Sequence, residues 1–266
     1  MRKTWKTALL ATTLVAATGH ATDSRQVVKT LQGPITAVGT VRGLSDAGRW
    51  VGGAVAIAQN HCYIAATTAG HNIKDGNGLP TSPLASMSIR IGQHRLAVVE
   101  ALMDPQHTST TPPEHDWAVV IAQKPACGIE FATLAPRSMP QQTIPSNGMP
   151  VALACYHHDH AALLNKLSTQ QCRMYKPGEK FDGLYSNKAG SPVALHSCTA
   201  KLGTSGCPII VQRNGQPQFV GTQIEAHYTS GASVARLFDG NYQKAYQNAL
   251  TRMRQLSRAQ IRLSAN

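Results

Sequence analysis

Between residues 35 and 237 the apolar residues come in short runs, each stopped by Gly, Pro, Asn or Asp. The runs are Ile35–Val41, Val51–Ala58, Cys62–Thr67, Ser88–Ile91, Leu96–Ala101 and Trp117–Ala122. After a polar, Pro-rich stretch over 134–150 come Val151–Cys155, Gln171–Tyr175, Val193–His196, Pro208–Val211, Phe219–Ile224 and Ser233–Leu237. Many short strands with turn signals between them read as an all-β barrel or sandwich, here in two halves of similar length. The tail alone breaks the pattern. Tyr242–Leu263 contains no Gly or Pro and places Tyr242, Ala245, Tyr246, Ala249, Met253 and Leu256 at helical spacing. The opposite face carries Lys244, Arg252, Arg254, Arg258 and Arg262. This is an amphipathic C-terminal helix, expected to pack on the second β unit with its basic face in water.

The first residues have a different purpose. Arg2, Lys3 and Lys6 precede an uncharged apolar stretch from Thr7 to Ala17, and Gly19-His20-Ala21 follows with small residues at the cleavage positions. That is the pattern of a secretory signal, and the apolar stretch is about half of the roughly 20 residues a membrane span needs. Export is therefore expected, to the periplasm or the medium, with no membrane span. In an oxidising compartment the six cysteines, Cys62, Cys127, Cys155, Cys172, Cys198 and Cys207, read as three disulfides. Six cysteines allow fifteen connectivities, and spacing alone does not choose among them. The net charge of +12 describes a surface field and would suit an acidic partner. Aromatic residues are 5% of the chain, too few for a protein that works by stacking bases, so no nucleic-acid partner is expected.

Three local patterns carry chemistry. An apolar strand, Tyr63–Thr67, runs through small residues into Gly70-His71. His115-Asp116 stands directly before the apolar strand Trp117–Ile121. Gly203-Thr204-Ser205-Gly206-Cys207-Pro208 holds a Ser between glycines ahead of another apolar strand. A Ser hydroxyl is a poor nucleophile at neutral pH until an adjacent base takes its proton, and that base needs a third group to fix its tautomer. His has the unperturbed pKa nearest working pH. A carboxylate on its other ring nitrogen orients the ring and stabilises its charged form. Glycines around the Ser let consecutive N–H groups point into one small space, where they can bind an oxyanion. Asp104 is a rival carboxylate, but it precedes Pro105 and reads as a turn residue.

Together, the order His, Asp, Gly-x-Ser-Gly-x-Pro and the spacings of 45 and 89 residues resemble the chymotrypsin-like (trypsin-fold) serine peptidases, over most of the chain from about Gly39 onward. The resemblance implies an all-β fold of two antiparallel six-stranded barrels with a C-terminal α-helix. It divides the chain into a signal peptide (1–21), a leader of undetermined order (22–35), a first barrel with the His and Asp (36–133), an inter-barrel linker (134–150), a second barrel with the Ser and the specificity pocket (151–240) and the helix (241–266). It implies Ser205 as nucleophile, His71 as general base and acid, Asp116 as the orienting carboxylate, and the N–H groups of Gly203 and Ser205 as the oxyanion hole. Pairing of neighbouring strands in that fold implies the disulfides Cys62–Cys127, Cys155–Cys207 and Cys172–Cys198.

The departures are specific. Gly70 stands where the family usually has Ala, and Cys207 where it has a second Gly. Thr204 stands where the digestive-type branch has the Asp that pairs with a newly cut N-terminus, so that activation route is not implied. Thr204 and the His196-Ser197-Cys198-Thr199 run look more like bacterial secreted branches, the glutamyl endopeptidases among them. The pocket wall maps onto Thr199, Ala200, Gln223 and Glu225. It has no Asp at the trypsin-type position and Gln223 where the glutamyl branch has His, so a neutral pocket for small or uncharged side chains is expected. Cys155-Tyr156-His157-His158-Asp159-His160 invites a metal reading, but neighbours on an extended segment face opposite ways. No metal or cofactor is expected. The expected protein is a monomeric serine endopeptidase acting on polypeptides; the alternative is a catalytically silent trypsin-fold binding protein.

Overall fold

The computed structural model describes residues 24–264 apart from 46–47, 76, 78, 109–111, 160, 182–190 and 228–229. The signal segment over 1–21 lies outside the described residues. The strands are β1 (Gln26–Val27), β2 (Val38–Ser45), β3 (Gly48–Gln59), β4 (Tyr63–Thr68), β5 (Ser88–Ile91), β6 (His94–Met103) and β7 (Ala118–Gln123), then β8 (Met149–Tyr156), β9 (Leu167–Tyr175), β10 (Val193–His196), β11 (Pro208–Arg213), β12 (Gln216–His227) and β13 (Ala232–Leu237). A single α-helix, α1 (Gly240–Ser264), follows them. All ladders between these strands are antiparallel. Strands β2-β3-β4-β7-β6-β5 close the first barrel. In the second, the order β9-β10-β13-β12-β11-β8 is closed by the long β8–β9 pairing from Met149↔Met174 to Tyr156↔Leu167. Two closed six-stranded barrels with one helix are the architecture the resemblance implied.

Local chemistry explains the edges. Pro34 sits inside a 3-10 turn, Gly33–Ala37, that takes the first half of the expected run Ile35–Val41; Gly33 adopts φ 64° and the strand starts at Val38. Part of the leader is ordered. Gln26 and Val27 pair with Thr169 and Ser168 of β9, and Arg25 makes a two-pronged ion pair to Asp159 at 2.8 and 2.9 Å. The stretch between the barrels is hydrogen-bonded to both: Leu134 N–H donates to Ala56 O and Met139 N–H to Phe238 O.

Strands β4 and β7 are apolar without alternation because both faces are covered, the inner by the barrel core and the outer by α1. This corrects one expectation, since the helix packs chiefly on the first barrel and touches the second only near its start, where Tyr242 meets Thr222 and Phe219. Tyr242, at its start, stacks on Trp117 with ring centroids 5.1 Å apart and meets Phe238 edge-on at 5.2 Å. Ala245, Ala249 and Met253 continue that buried face, and their small size lets the helix lie close to the sheet. Asn60 Nδ2 donates to Met253 O at 3.0 Å, Tyr63 hydroxyl to Gln260 at 3.0 Å, and Arg252 pairs with Glu100 at 2.7 Å. The three disulfides are Cys62–Cys127, Cys155–Cys207 and Cys172–Cys198, the pairs the resemblance implied.

Candidate active site

His71 sits on a 3-10 turn, Gly70–Asn72, directly after β4. Asp116 ends another such turn, Pro113–His115, directly before β7. Because β4 and β7 are paired along their whole length, from Tyr63↔Gln123 to Thr68↔Ala118, the two turns leave the barrel side by side. Asp116 then holds His71 twice: Oδ1 accepts the His71 backbone N–H at 2.9 Å, and Oδ2 lies 2.7 Å from Nδ1. An ionised carboxylate only accepts, so Nδ1 carries the proton and Nε2 is left as the acceptor. Gly70 leaves room for this. A Cβ there would meet Trp117 N at 3.0 Å and Asp116 Oδ1 at 3.1 Å, tighter than ordinary contact. Desolvation of the imidazole alone would lower its pKa. The Asp116 hydrogen bond and charge, with the charge of Glu225, outweigh that and hold His71 above its ordinary value. Burial likewise works against the Asp116 carboxylate, but the His71 contacts keep it below the usual carboxylate range.

Ser205 lies at the junction of the barrels, on the loop entering β11. Its carbonyl accepts two hydrogen bonds from the first barrel, from Gly53 N–H at 2.7 Å and Asn72 Nδ2 at 2.9 Å. Asn72 also donates to Thr68 Oγ1 at 2.9 Å, and Thr68 donates to Gly53 O at 2.7 Å, closing a small buried network. The loop is shaped by its own groups. Thr204 donates through both N–H and hydroxyl to Lys201 O, Cys207 N–H to Thr204 O, and Gly206 N–H to Gln223 O. Gly206 adopts φ 95°, and a Cβ there would collide with Gly53 O at 2.1 Å. Among the described residues the N–H groups of Gly203 and Ser205 donate to nothing, although those of Thr204, between them, and Gly206 do. Two unspent donors that flank a bonded one form an anion-binding cradle. The Ser205 hydroxyl points to Ile224 O at 3.4 Å and is not hydrogen-bonded to His71.

The remaining expected residues fall around this loop. Ala200 is buried, Thr199 is half-buried, and Gln170 holds Thr199 through its N–H (2.7 Å) and hydroxyl (3.2 Å). Gln223 is buried and its amide is occupied internally: Oε1 lies 2.5 Å from His196 Nε2 and Nε2 donates to Glu225 O at 2.7 Å. His196 is wholly buried, and desolvation pulls its pKa down to about 4 despite the Gln223 bond. It is therefore a neutral support behind Gln223. Glu225 is exposed, 3.2 Å from His227. Asp104, the rival carboxylate, lies 2.9 Å from His115 Nδ1. Cys155 and Cys207 are both spent in one disulfide, so neither offers a thiolate.

Two residues near the site carried no sequence signal. Asn72 joins the His71 turn to the Ser205 peptide, and its partner is 133 residues away. His107 stands behind Asp116, with Nδ1 3.9 Å from Oδ1; desolvation, and then the neighbouring charges of His71 and Lys74 against that of Asp116, keep it below its ordinary pKa.

The chain is similar in structure to a Glu endopeptidase solved in complex with MPD (TM-score 0.64, 13% identity, 86% of this chain and 97% of that one). It is also similar to the thermostable serine protease AL20 from an extremophilic microorganism (TM-score 0.63, 18% identity, 81% and 97%). A third neighbour is a scabies mite inactivated protease paralogue (TM-score 0.61, 14% identity, 85% and 99%). At these identities the likeness establishes the trypsin-like fold, which proteins named as active and as inactivated share. No family model and no curated protein matches the chain.

Proposed function

We propose that the protein is an exported serine endopeptidase, with Ser205 as nucleophile, His71 as general base and acid, Asp116 as the orienting carboxylate and the N–H groups of Gly203 and Ser205 as the oxyanion hole. The observation that carries the reading is His71, held by Asp116 through ring and backbone on the turn whose Asn72 bonds the Ser205 carbonyl, with the N–H groups of Ser205 and Gly203 unspent. Rotation about the Ser205 Cα–Cβ bond turns the hydroxyl from Ile224 O to His71 Nε2. Nε2 takes the proton as Oγ attacks the scissile carbonyl carbon, and the carbonyl oxygen gains the negative charge in the cradle. Each cradle donor is worth about 3 kcal/mol of barrier. The imidazolium, stabilised by Asp116, then gives its proton to the leaving amine, and water repeats the sequence on the acyl-enzyme. Thr199, Ala200 and Gln223 form a neutral pocket for the residue before the scissile bond, and Glu225 lines its outer edge. Residues 1–21 direct export and are removed. The three disulfides, and the absence among described residues of a helix long and apolar enough to cross a membrane, fit a periplasmic or extracellular site of action.

A second reading, a catalytically silent binding protein, is favoured by one observation: the hydroxyl that rests on Ile224 O. A fluorophosphonate probe decides between them. Labelling of the folded, oxidised protein that disappears in Ser205→Ala supports the endopeptidase; absence of labelling supports the silent form. Digestion of a mixed peptide library reads the pocket, and cleavage confined to acidic or basic residues would refute its neutrality.

A further inference from the structure

A groove of about 790 Å³ runs between β2, β3, β5 and β6 of the first barrel and His158 and Asn165 of the second. Arg42, Arg49, Arg90 and Arg95 line it. Arg42 donates to Thr40 Oγ1 and Arg90 to Gly92 O, but among the described residues none of the four guanidiniums has a carboxylate partner. Among the described residues no Asp or Glu lines the groove, and the nearby Asp159 is taken by Arg25. Partial burial, then the charges of Arg90 and Arg95, lower the pKa of Arg42. Like charges gathered at a surface repel one another, and an anion entering the groove relieves that repulsion.

The groove is continuous with the candidate site. A Cβ on Gly203 would lie 3.4 Å from the His158 ring and 3.9 Å from Val51 O, and both residues line the groove. No residue of 199–201 or 222–226 lines it, so the groove and the proposed pocket share no wall. A peptide whose scissile carbonyl sits in the cradle, with the preceding side chain against Thr199 and Gln223, leaves over Val51 and His158. We infer that this arginine groove binds acidic residues of the polypeptide substrate on the leaving-group side of the scissile bond. The inference rests on the endopeptidase reading, which supplies the direction of the chain. Continuity with the cradle is what favours a peptide over any other polyanion.

Two quenched peptides test it, identical up to the scissile bond and carrying either Asp or Lys at the second and third positions beyond it. At low salt the acidic peptide is expected to be cleaved with roughly tenfold higher kcat/KM, and the gap to close at about 1 M salt. In Arg49→Glu/Arg95→Glu, which changes two exposed side chains, the preference is expected to vanish or reverse. Equal cleavage of both peptides, or a preference that survives the double substitution, overturns the inference while leaving the endopeptidase intact. Cleavage of neither peptide together with no fluorophosphonate labelling overturns the endopeptidase reading instead. The groove is then judged by fluorescence anisotropy with Ser205→Ala protein: tighter binding of the acidic peptide, lost in the arginine variant, supports it. Equal affinity for both peptides, or tighter binding of a single-stranded oligonucleotide, overturns it.

Discussion

The first barrel buries Ile64, Ile89, Leu96 and Ile121 together with the short polar side chains of Thr40, Thr67, Thr68 and Asn72, and α1 seals its outer face. The second barrel buries His196, Gln223, Thr222, Gln170 and Ser233 among its aliphatic residues and carries two of the three disulfides. The strand plan is the same, so the difference is one of task. The first barrel presents His71 and Asp116 on two adjacent turns, tied together by the Asp116 bonds to His71 and braced by the buried Asn72–Thr68–Gly53 network. The second forms the proposed pocket wall, whose polar groups must bond one another when buried. His196, Gln223 and the Glu225 carbonyl form such a chain.

The comparison can be broken first at the chemistry. Asp116→Asn is expected to lower kcat by about 10⁴-fold, because the ring loses its tautomer, and Ser205→Ala by at least as much. Peptide turnover by protein of unchanged circular dichroism checks this; a modest loss in either variant removes the division of labour between barrels. Next come the cross-links. Cys62–Cys127 and Cys155–Cys207 close loops of 65 and 52 residues, so replacing either pair by Ala is expected to cost about 4 kcal/mol in urea unfolding. Only loss of Cys155–Cys207 should also reduce turnover by the folded fraction, because that bridge ties the loop two residues after Ser205 to β8.

Acid sharpens the contrast further. His196 stays neutral in the folded state down to about pH 4, whereas the unfolded chain binds that proton near 6.5. Its contribution is therefore complete above 6.5 and falls away as pH drops from 6.5 to about 4, a loss of roughly 3 kcal/mol. Urea midpoints across that range should lose this slope in His196→Gln. A smaller effect is expected where the barrels meet. Asn72→Ala leaves the Ser205 carbonyl with Gly53 alone and should lower kcat by about 10- to 100-fold with little change in KM. A change confined to KM would assign Asn72 to substrate binding. The smallest effect concerns pH. The base must be neutral, and His71 is held above its ordinary value of 6.5, so kcat/KM should rise with pH through a midpoint above 6.5. Glu225→Gln should move that midpoint towards acid.

How much of this was legible in the sequence depends on distance along the chain. Short apolar runs stopped by turn residues determined the strands, and the Tyr242–Leu263 spacing determined the helix, because period and turn chemistry act between near neighbours. The turn residues around His71, Asp116 and Ser205 were visible for the same reason. The surface on which α1 rests was not: its apolar stripe says that one face is buried and is silent about what covers it, and the Trp117–Tyr242 stack decided that. Gln223 read as a pocket residue, but its amide is turned inward by His196, 27 residues earlier. Asn72 carries no local mark, and its role arises only because Ser205 is brought to it across the barrel junction. The arginines of the groove come from four strands, β2, β3, β5 and β6, that are brought together when the first barrel closes. Local sequence sets which way each side chain faces; tertiary structure alone decides which distant faces, charges and donors meet.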